Sequence, residues 1–332
     1  MRRFQVLLIA FLFLGCFIAR ATPAAEAIAV TPVIFDFDVA PGSSVRGEIT
    51  LLNDTESIDT FSLEVRNFVA RGEDGAQEYI EEERPSDLAS WVTVDRPSVT
   101  LAPGEDAKFP FAITAPPNAE PGGHYASIFF SRQANAAAGT GVGIGSKVGV
   151  LLLVNVPGDV HEEAKIESFT LRGSAVRSRL PTWFDLRIRN MGSVHFKPRG
   201  DLVIKNMLGN VVRRAAVNPK NSAVLPNSVR RVESVWARTL TEEEGKGFWT
   251  GVRNEWRNFA IGRYTAIAEV TYGSKAAEIA SPTVSFWVIP WRLLLLVLVG
   301  LTVLVTLIKL YNRLLVSSAL KKEARSEGRR KN

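Results

Sequence analysis

The chain has 332 residues, 46% of them hydrophobic, with 40 Lys or Arg against 34 Asp or Glu and a single cysteine, Cys16. That length allows two packed cores plus appendages, and one cysteine excludes an internal disulfide and a multi-cysteine metal site. The formal net charge of +6 is no sign of a nucleic-acid partner, because residues 28–157 carry −10, residues 158–291 carry +7, and much of the remaining excess is the +5 of residues 313–332.

Residues 1–27 have the parts of an export signal: Arg2 and Arg3, an apolar run over 4–19, then small residues that suit cleavage after Ala21 or Ala27. Cys16 lies inside the apolar run, which Phe17, Ile18 and Ala19 continue, so it reads as part of the signal and not as a lipid acceptor. Removal of the signal would leave a chain without thiols.

From 28 to 157 short alternating runs are broken by turn residues. Strands are predicted over 28–35, 45–52, 60–69, 91–94, 107–114, 125–131 and 147–156, with Pro41-Gly42-Ser43, the acidic stretch 71–85, 102–105 and 116–123 between them. Phe109, Phe111 and Ile113 alternate with Lys108, Pro110 and Ala112, the pattern of a half-buried strand, and Pro110 points to an edge or a bulge. Seven such segments imply an immunoglobulin-like or fibronectin-like sandwich. Trp91 heads one of these short strands, as core filler or as an exposed ring for a ligand. Asn53-Asp54-Thr55 matches a glycosylation sequon.

A second sandwich is predicted over 158–288, with strands at 165–171, 182–190, 200–206, 210–214, 228–237, 262–272 and 276–288. Within it, Thr241 to Glu244 resembles a capping box, and Phe248, Val252, Trp256 and Phe259 recur at helical spacing, so a short helix is expected in a 241–258 insert. Its apolar face, with Trp249 beside it, either packs on its own sandwich or docks on a membrane or a partner.

Residues 289–311 form the one long apolar run of the mature chain. Sixteen uncharged residues separate Arg292 from Lys309, roughly 24 Å of helix at about 1.5 Å per residue, a little short of a ~30 Å hydrocarbon core. Trp291, Arg292, Lys309 and Tyr311 are the expected interface anchors, the two cations reaching the headgroups by snorkelling. The basic tail 312–332 belongs in the cytoplasm by charge, which places everything before Trp291 outside. The fold expected is therefore all-β, with two tandem sandwiches followed by one transmembrane helix.

Chemistry is sparse. His124, His161 and His195 stand apart with no zinc-ligand spacing, and the alternating glycines of 139–147 match neither a dinucleotide fingerprint nor a phosphate loop. No cofactor, no metal and no catalytic set is expected. The chain reads as a membrane-anchored binding protein without chemistry of its own. The alternative is a chaperone-like or scaffold module binding partner strands at a sheet edge, for which the test is whether 28–35 or 147–156 is unpaired.

The order Val-Thr-Pro-Val-Ile-Phe-Asp (30–36), Pro41-Gly42, Leu-Leu-Asn (51–53), Trp91, Leu-Ala-Pro-Gly-Glu (101–105) and Pro-Gly-Gly-His-Tyr-Ala-Ser-Ile-Phe-Phe (121–130) resembles the N-terminal domain of the WxL-interacting proteins of Gram-positive cell surfaces. The resemblance implies an outer domain that binds peptidoglycan and a second that engages protein partners alongside secreted WxL proteins. It makes the loop of Pro121, Gly122, Gly123, His124 and Tyr125, with Trp91, the candidate binding site. Phe248, Trp249, Val252 and Trp256 are the candidate partner or membrane face.

Overall fold

The computed structural model describes residues 27–81, 84, 86–132, 146–239 and 247–330. The expected export signal, the glycine-rich run before residue 146 and the capping box at 241–244 lie outside the described residues. The chain divides into two compact units, Met1–Phe68 with Tyr79–Pro157, and Val69–Glu78 with Gly158–Asn332. Each is a pair of sheets, so the fold is all-β with a single long helix at its C-terminal end.

In the first unit one sheet has the order β1 (Ala27–Thr31), β3 (Ser44–Asp54), β8 (Asp106–Thr114), β6 (Val92–Val94). The other runs β2 (Ile34–Asp38), β10 (Lys147–Val156), β9 (Gly122–Arg132), β4 (Asp59–Arg71), β5 (Ala76–Tyr79), with β7 (Ser98–Leu101) also on β4; the end of β4 and most of β5, within Val69–Glu78, are grouped with the second unit. The core between them follows from alternation: Phe109, Phe111 and Ile113 of β8 are buried while Lys108 and Pro110 are exposed. Ile49 of β3 and, from the facing sheet, Phe61, Phe130 and Leu152 close it. Each such large side chain contributes roughly 2–3 kcal/mol by leaving water.

Sequence reading merges β1 and β2 into one strand, and the structure splits them at Pro32. Without an N–H, Pro32 cannot donate to a ladder. The chain leaves β3 there and enters the second sheet, where β2 runs parallel to β10. Pro110 lies in an inner strand by order, yet β6 pairs only Phe111, Ala112 and Ile113, so one flank of the proline carries no strand among the described residues. The stretch 71–85, expected as a separator, contains β5. Trp91 ends a short helix, α1 (Leu88–Trp91), and does not head a strand.

The second unit repeats the plan. One sheet is β11 (Ala164–Leu171), β13 (Thr182–Asn190), β16 (Val229–Trp236). The other is β12 (Val176–Arg177), β19 (Thr283–Val288), β17 (Gly262–Tyr272), β14 (Arg199–Asn206), β15 (Val211–Ala216), with β18 (Ala277–Ile279) on β17. As β2 does on β10, β12 lies parallel on the last strand, β19. The predicted strand 276–288 is interrupted before Pro282 and becomes β18 and β19. Phe184, Phe286, Trp236 and Tyr264 centre the core, with ring centroids of successive pairs 4.8 to 6.0 Å apart.

Two helices follow, α2 (Phe248–Arg257) and α3 (Trp291–Arg330). The stretch Trp291–Ser317, 27 residues, is long and apolar enough to cross a membrane, and its apolar window is not buried against the chain. At about 1.5 Å per residue it reaches roughly 40 Å, longer than the sequence estimate. Beyond it the helix continues through the basic tail instead of ending there.

Candidate functional site

Among the described residues, the N-terminal half of β10 is one place where the first unit leaves strand backbone without a partner strand. Along its whole length β10 pairs antiparallel with β9, from Lys147 opposite Ser131 to Val156 opposite Gly122. Its other flank is covered by β2 only from Leu151 to Asn155. Leu151 N–H donates to Val33 O at 2.9 Å and Asn155 C=O accepts from Val39 at 2.9 Å, so odd-numbered residues of β10 turn their polar groups away from β9. By that alternation Lys147 and Gly149 aim their N–H and C=O groups at a flank that holds no strand among the described residues. Thus each of the two strands in 28–35 is paired on one flank, with β3 or with β10, and among the described residues 147–156 is half open on the flank away from β9.

The side chains around this flank leave it accessible. A lysine on an edge strand ordinarily wards off other strands. Lys147 instead lies across the sheet face, its Nζ 2.8 Å from Glu64 Oε2 and 4.0 Å from the centre of the Phe129 ring. Hydrogen bonds from the Lys147 ammonium and the Arg66 guanidinium hold the Glu64 carboxyl below its usual range. Gly149 makes room for Phe129: a Cβ on it would stand 2.8 Å from the ring. Phe129 in turn meets Tyr79 edge-on at 4.8 Å. On the inner side Val150, Leu152 and Val154 are buried, while Val148 of β10 and Ile28 and Val30 of β1 are only partly buried against the same core. The outer flank of β1 likewise carries no strand among the described residues, and β1 lies close against β10. Two open strand edges of opposite sheets therefore border one seam lined by half-buried aliphatic side chains.

The residues expected to form a binding loop are placed otherwise. Gly122 to Tyr125 belong to β9 and pair with β10 as far as Val156. His124 Nε2 lies 2.9 Å from Glu120 O, closing the turn before that strand, and its ring sits 4.6 Å from that of Trp91. Trp91 is 5% exposed and packs in the core, so it presents no ring face to a ligand. The other histidines are apart: His161 Nε2 contacts Glu163 Oε2 at 2.9 Å on the surface. Among the described residues no group of three or more His, Cys, Asp or Glu is arranged to hold a metal.

The sequon is structural. Asn53 is fully buried, and its Nδ2 donates to Ser57 O, Leu101 O and Ala102 O at 2.9 to 3.2 Å. A glycan on that nitrogen is incompatible with the folded unit.

Of the two outcomes left open for the apolar face of the 241–258 insert, packing on its own sandwich is not what its tryptophans do. Gly251, Asn254 and Glu255 are the buried residues of α2, whereas Trp249 is 66% and Trp256 72% exposed, Phe248 is also exposed and Val252 is half-buried. Sequence spacing marks the face but not which side of it the protein covers. Trp291 and Tyr311 are exposed, as is Lys309, but Arg292 does not reach outward. Its guanidinium meets Glu255 Oε1 at 3.1 Å and lies 4.5 Å from the Trp291 ring. Glu255, which sequence reading passed over, has no solvent exposure and also accepts from the backbone N–H groups of Arg292 and Leu293 at 3.0 and 3.1 Å.

No family model matches the chain, and no curated protein matches it. Among solved structures it is similar to the class 5 fimbrial chaperone CfaA, with a TM-score of 0.37, 10% identity, and coverage of 80% of this chain and 100% of that one. The E. coli chaperone DraB gives a TM-score of 0.35 at 12% identity over 78% of this chain and 96% of that one. A PapD-like domain of human CEP192 gives 0.29 at 11% identity over 41% and 91%.

Proposed function

We propose that this chain is a non-enzymatic, membrane-anchored module that holds a partner polypeptide by taking its extended segment as an added strand beside the first half of β10. The observation that carries this reading is the open flank of residues 147–150, with the polar groups of Lys147 and Gly149 aimed into it and the usual lysine guard tied down on Glu64. Main-chain hydrogen bonds would supply affinity, and the partly buried Val148, Val30 and Ile28 would select alternate apolar side chains on the partner. The α3 span anchors the module in the membrane, and the basic tail 312–332 lies on the cytoplasmic side, with both sandwich units outside. Binding to peptidoglycan or to WxL-type surface proteins through 121–125 draws less support, because Trp91 is buried and Gly122 to Tyr125 are committed to a paired strand.

Lys147→Pro provides the test. It removes an N–H that faces the open flank and leaves the ladder to β9 intact, as a proline at a strand's first residue permits. Decapeptides displayed on phage and selected on the full chain in lipid nanodiscs should alternate apolar and polar residues. They should lose binding to Lys147→Pro and keep it with Lys147→Ala. Selected peptides that bind the proline variant as tightly as the parent overturn the reading.

A further inference from the structure

The end of the second unit from which α3 departs carries a concentration of exposed apolar side chains. Gly262 of β17 pairs with Val288, three residues before α3 begins, and Asn206 of β14 pairs with Tyr264, so the tip of the β14–β15 hairpin lies at this same end. Met207 at that tip is 64% exposed and Leu208 78%, and a Cβ on Gly262 would run into the Met207 methyl. Ile261, just before β17, and Trp291, at the first position of α3, are exposed as well. Helix α2 adds Trp249 and Trp256 one above the other two turns apart, with the exposed Arg253 and Arg257 beside them on the same side.

The local chemistry of α2 runs opposite to that of a helix covering a protein core. Its carboxylate and amide, Glu255 and Asn254, are inside, and its indoles are outside. Glu255 fastens it to the first turn of α3 through Arg292 and Leu293, and Phe248 sits 6.3 Å from Trp291, ring to ring. A helix so fixed cannot rotate its tryptophans away from the plane at which the span enters lipid.

We infer that this end of the unit is a membrane-docking collar, in which α2 lies in the phospholipid interface, its indoles at the headgroup boundary and Arg253 and Arg257 toward lipid phosphates. The inference rests on α3 crossing the bilayer. Indoles and guanidinium groups side by side suit that boundary, where one part of the side chain meets hydrocarbon and another meets water or phosphate. Continuity with the span commits the surface to lipid and not to a second protein.

The test uses the full chain in a Cys16→Ser background, with a single nitroxide at Trp249→Cys, Trp256→Cys, Leu298→Cys or Lys275→Cys. The chains are reconstituted in vesicles of phosphatidylcholine and phosphatidylglycerol. Both tryptophans are largely exposed, so their replacement leaves the core untouched. Lys275 lies beyond the far end of β17, whose eleven residues at about 3.4 Å each place it roughly 35 Å from the collar. Relaxation by oxygen relative to a water-soluble nickel chelate should be highest at 298, intermediate at 249 and 256, and several-fold lower at 275. Water-like values at 249 and 256 with a lipid-like value at 298 overturn the collar and leave the anchor standing. Water-like values at all four sites remove the span itself. Spin–spin broadening at 249 and 256 would assign the face to contact between copies and overturn the inference.

Discussion

The carboxylate of Asp59, 2% exposed at the start of β4, meets the guanidinium of Arg132, the last residue of β9, at 2.9 Å. Thr55 and Ser57 hydroxyls donate to its other oxygen at 2.8 and 3.0 Å. Arg132 also donates its backbone N–H to Ser146 O at 2.9 Å, so the pair fixes the point from which β10, and with it the open flank, begins. Burial opposes ionisation of Asp59, but the donors from Thr55, Ser57 and Arg132 outweigh it and leave the carboxyl below its ordinary value of 3.8. Its contribution is therefore complete above the unfolded value and is lost as pH falls through the lower folded value. Asp59→Ala should cost about 2 kcal/mol near neutral pH. The gap between variant and parent should shrink in acid below pH 3.8, as read by denaturant unfolding across a pH series. A gap that widens toward acid would contradict the assignment.

Gly149 tests how the flank is kept flat. Gly149→Ala pushes a methyl against Phe129, a contact of 2.8 Å that the ring can relieve only by moving toward Tyr79 or Lys147. Overpacking of this kind costs about 1–3 kcal/mol. Thermal unfolding should show the loss, and Gly149→Ala combined with Phe129→Leu should recover part of it.

Removing Glu255 strips three donors of their acceptor at the root of the span. Glu255→Ala should cost about 3 kcal/mol in local stability, because the Arg292 guanidinium loses its buried partner and the first N–H groups of α3 lose their cap. Hydrogen exchange in nanodiscs is the readout. The amides of Arg292 and Leu293 should exchange faster, with those of β13 and β16 unchanged.

Asn53→Ala should destabilise the first unit by about 2 kcal/mol, since three carbonyls from two chain segments share its amide. Denaturant unfolding measures it. A near-neutral effect would mean that water replaces all three bonds.

Period-two alternation was enough to find the longer strands and both cores, because burial on one face leaves a mark every second residue, as along β8, but the short β5, β7 and β12 went unmarked. The sheet switch at Pro32 was legible only as a proline. Which sheet each half joins depends on pairing with β3 and β10, whose partner residues lie up to 117 positions away in sequence (Ile34 with Leu151). The turn motifs that suggested a family are explained locally. Gly42 and Gly104 have φ of 75° and 72°, a conformation that favours glycine, so such motifs accompany turns in any sandwich. Trp91 could be named but not placed, since one tryptophan suits a core or a surface equally. The sequence marked 147–156 as a candidate edge but could not say which half is open, because that depends on the register with β2 and on the commitment of Lys147 to Glu64 and Phe129. In α2, Gly251 is a poor helix former, yet its missing side chain is what admits Arg292.

Only Ile289 and Pro290 separate the end of β19 from the start of α3, and Glu255 braces that junction from the side. The second unit is thus attached without a hinge. With α3 in lipid as proposed, tilting it by a few degrees would swing this sandwich with it, so bilayer thickness or lateral tension would reach the protein as a change of posture and not as slack in a tether.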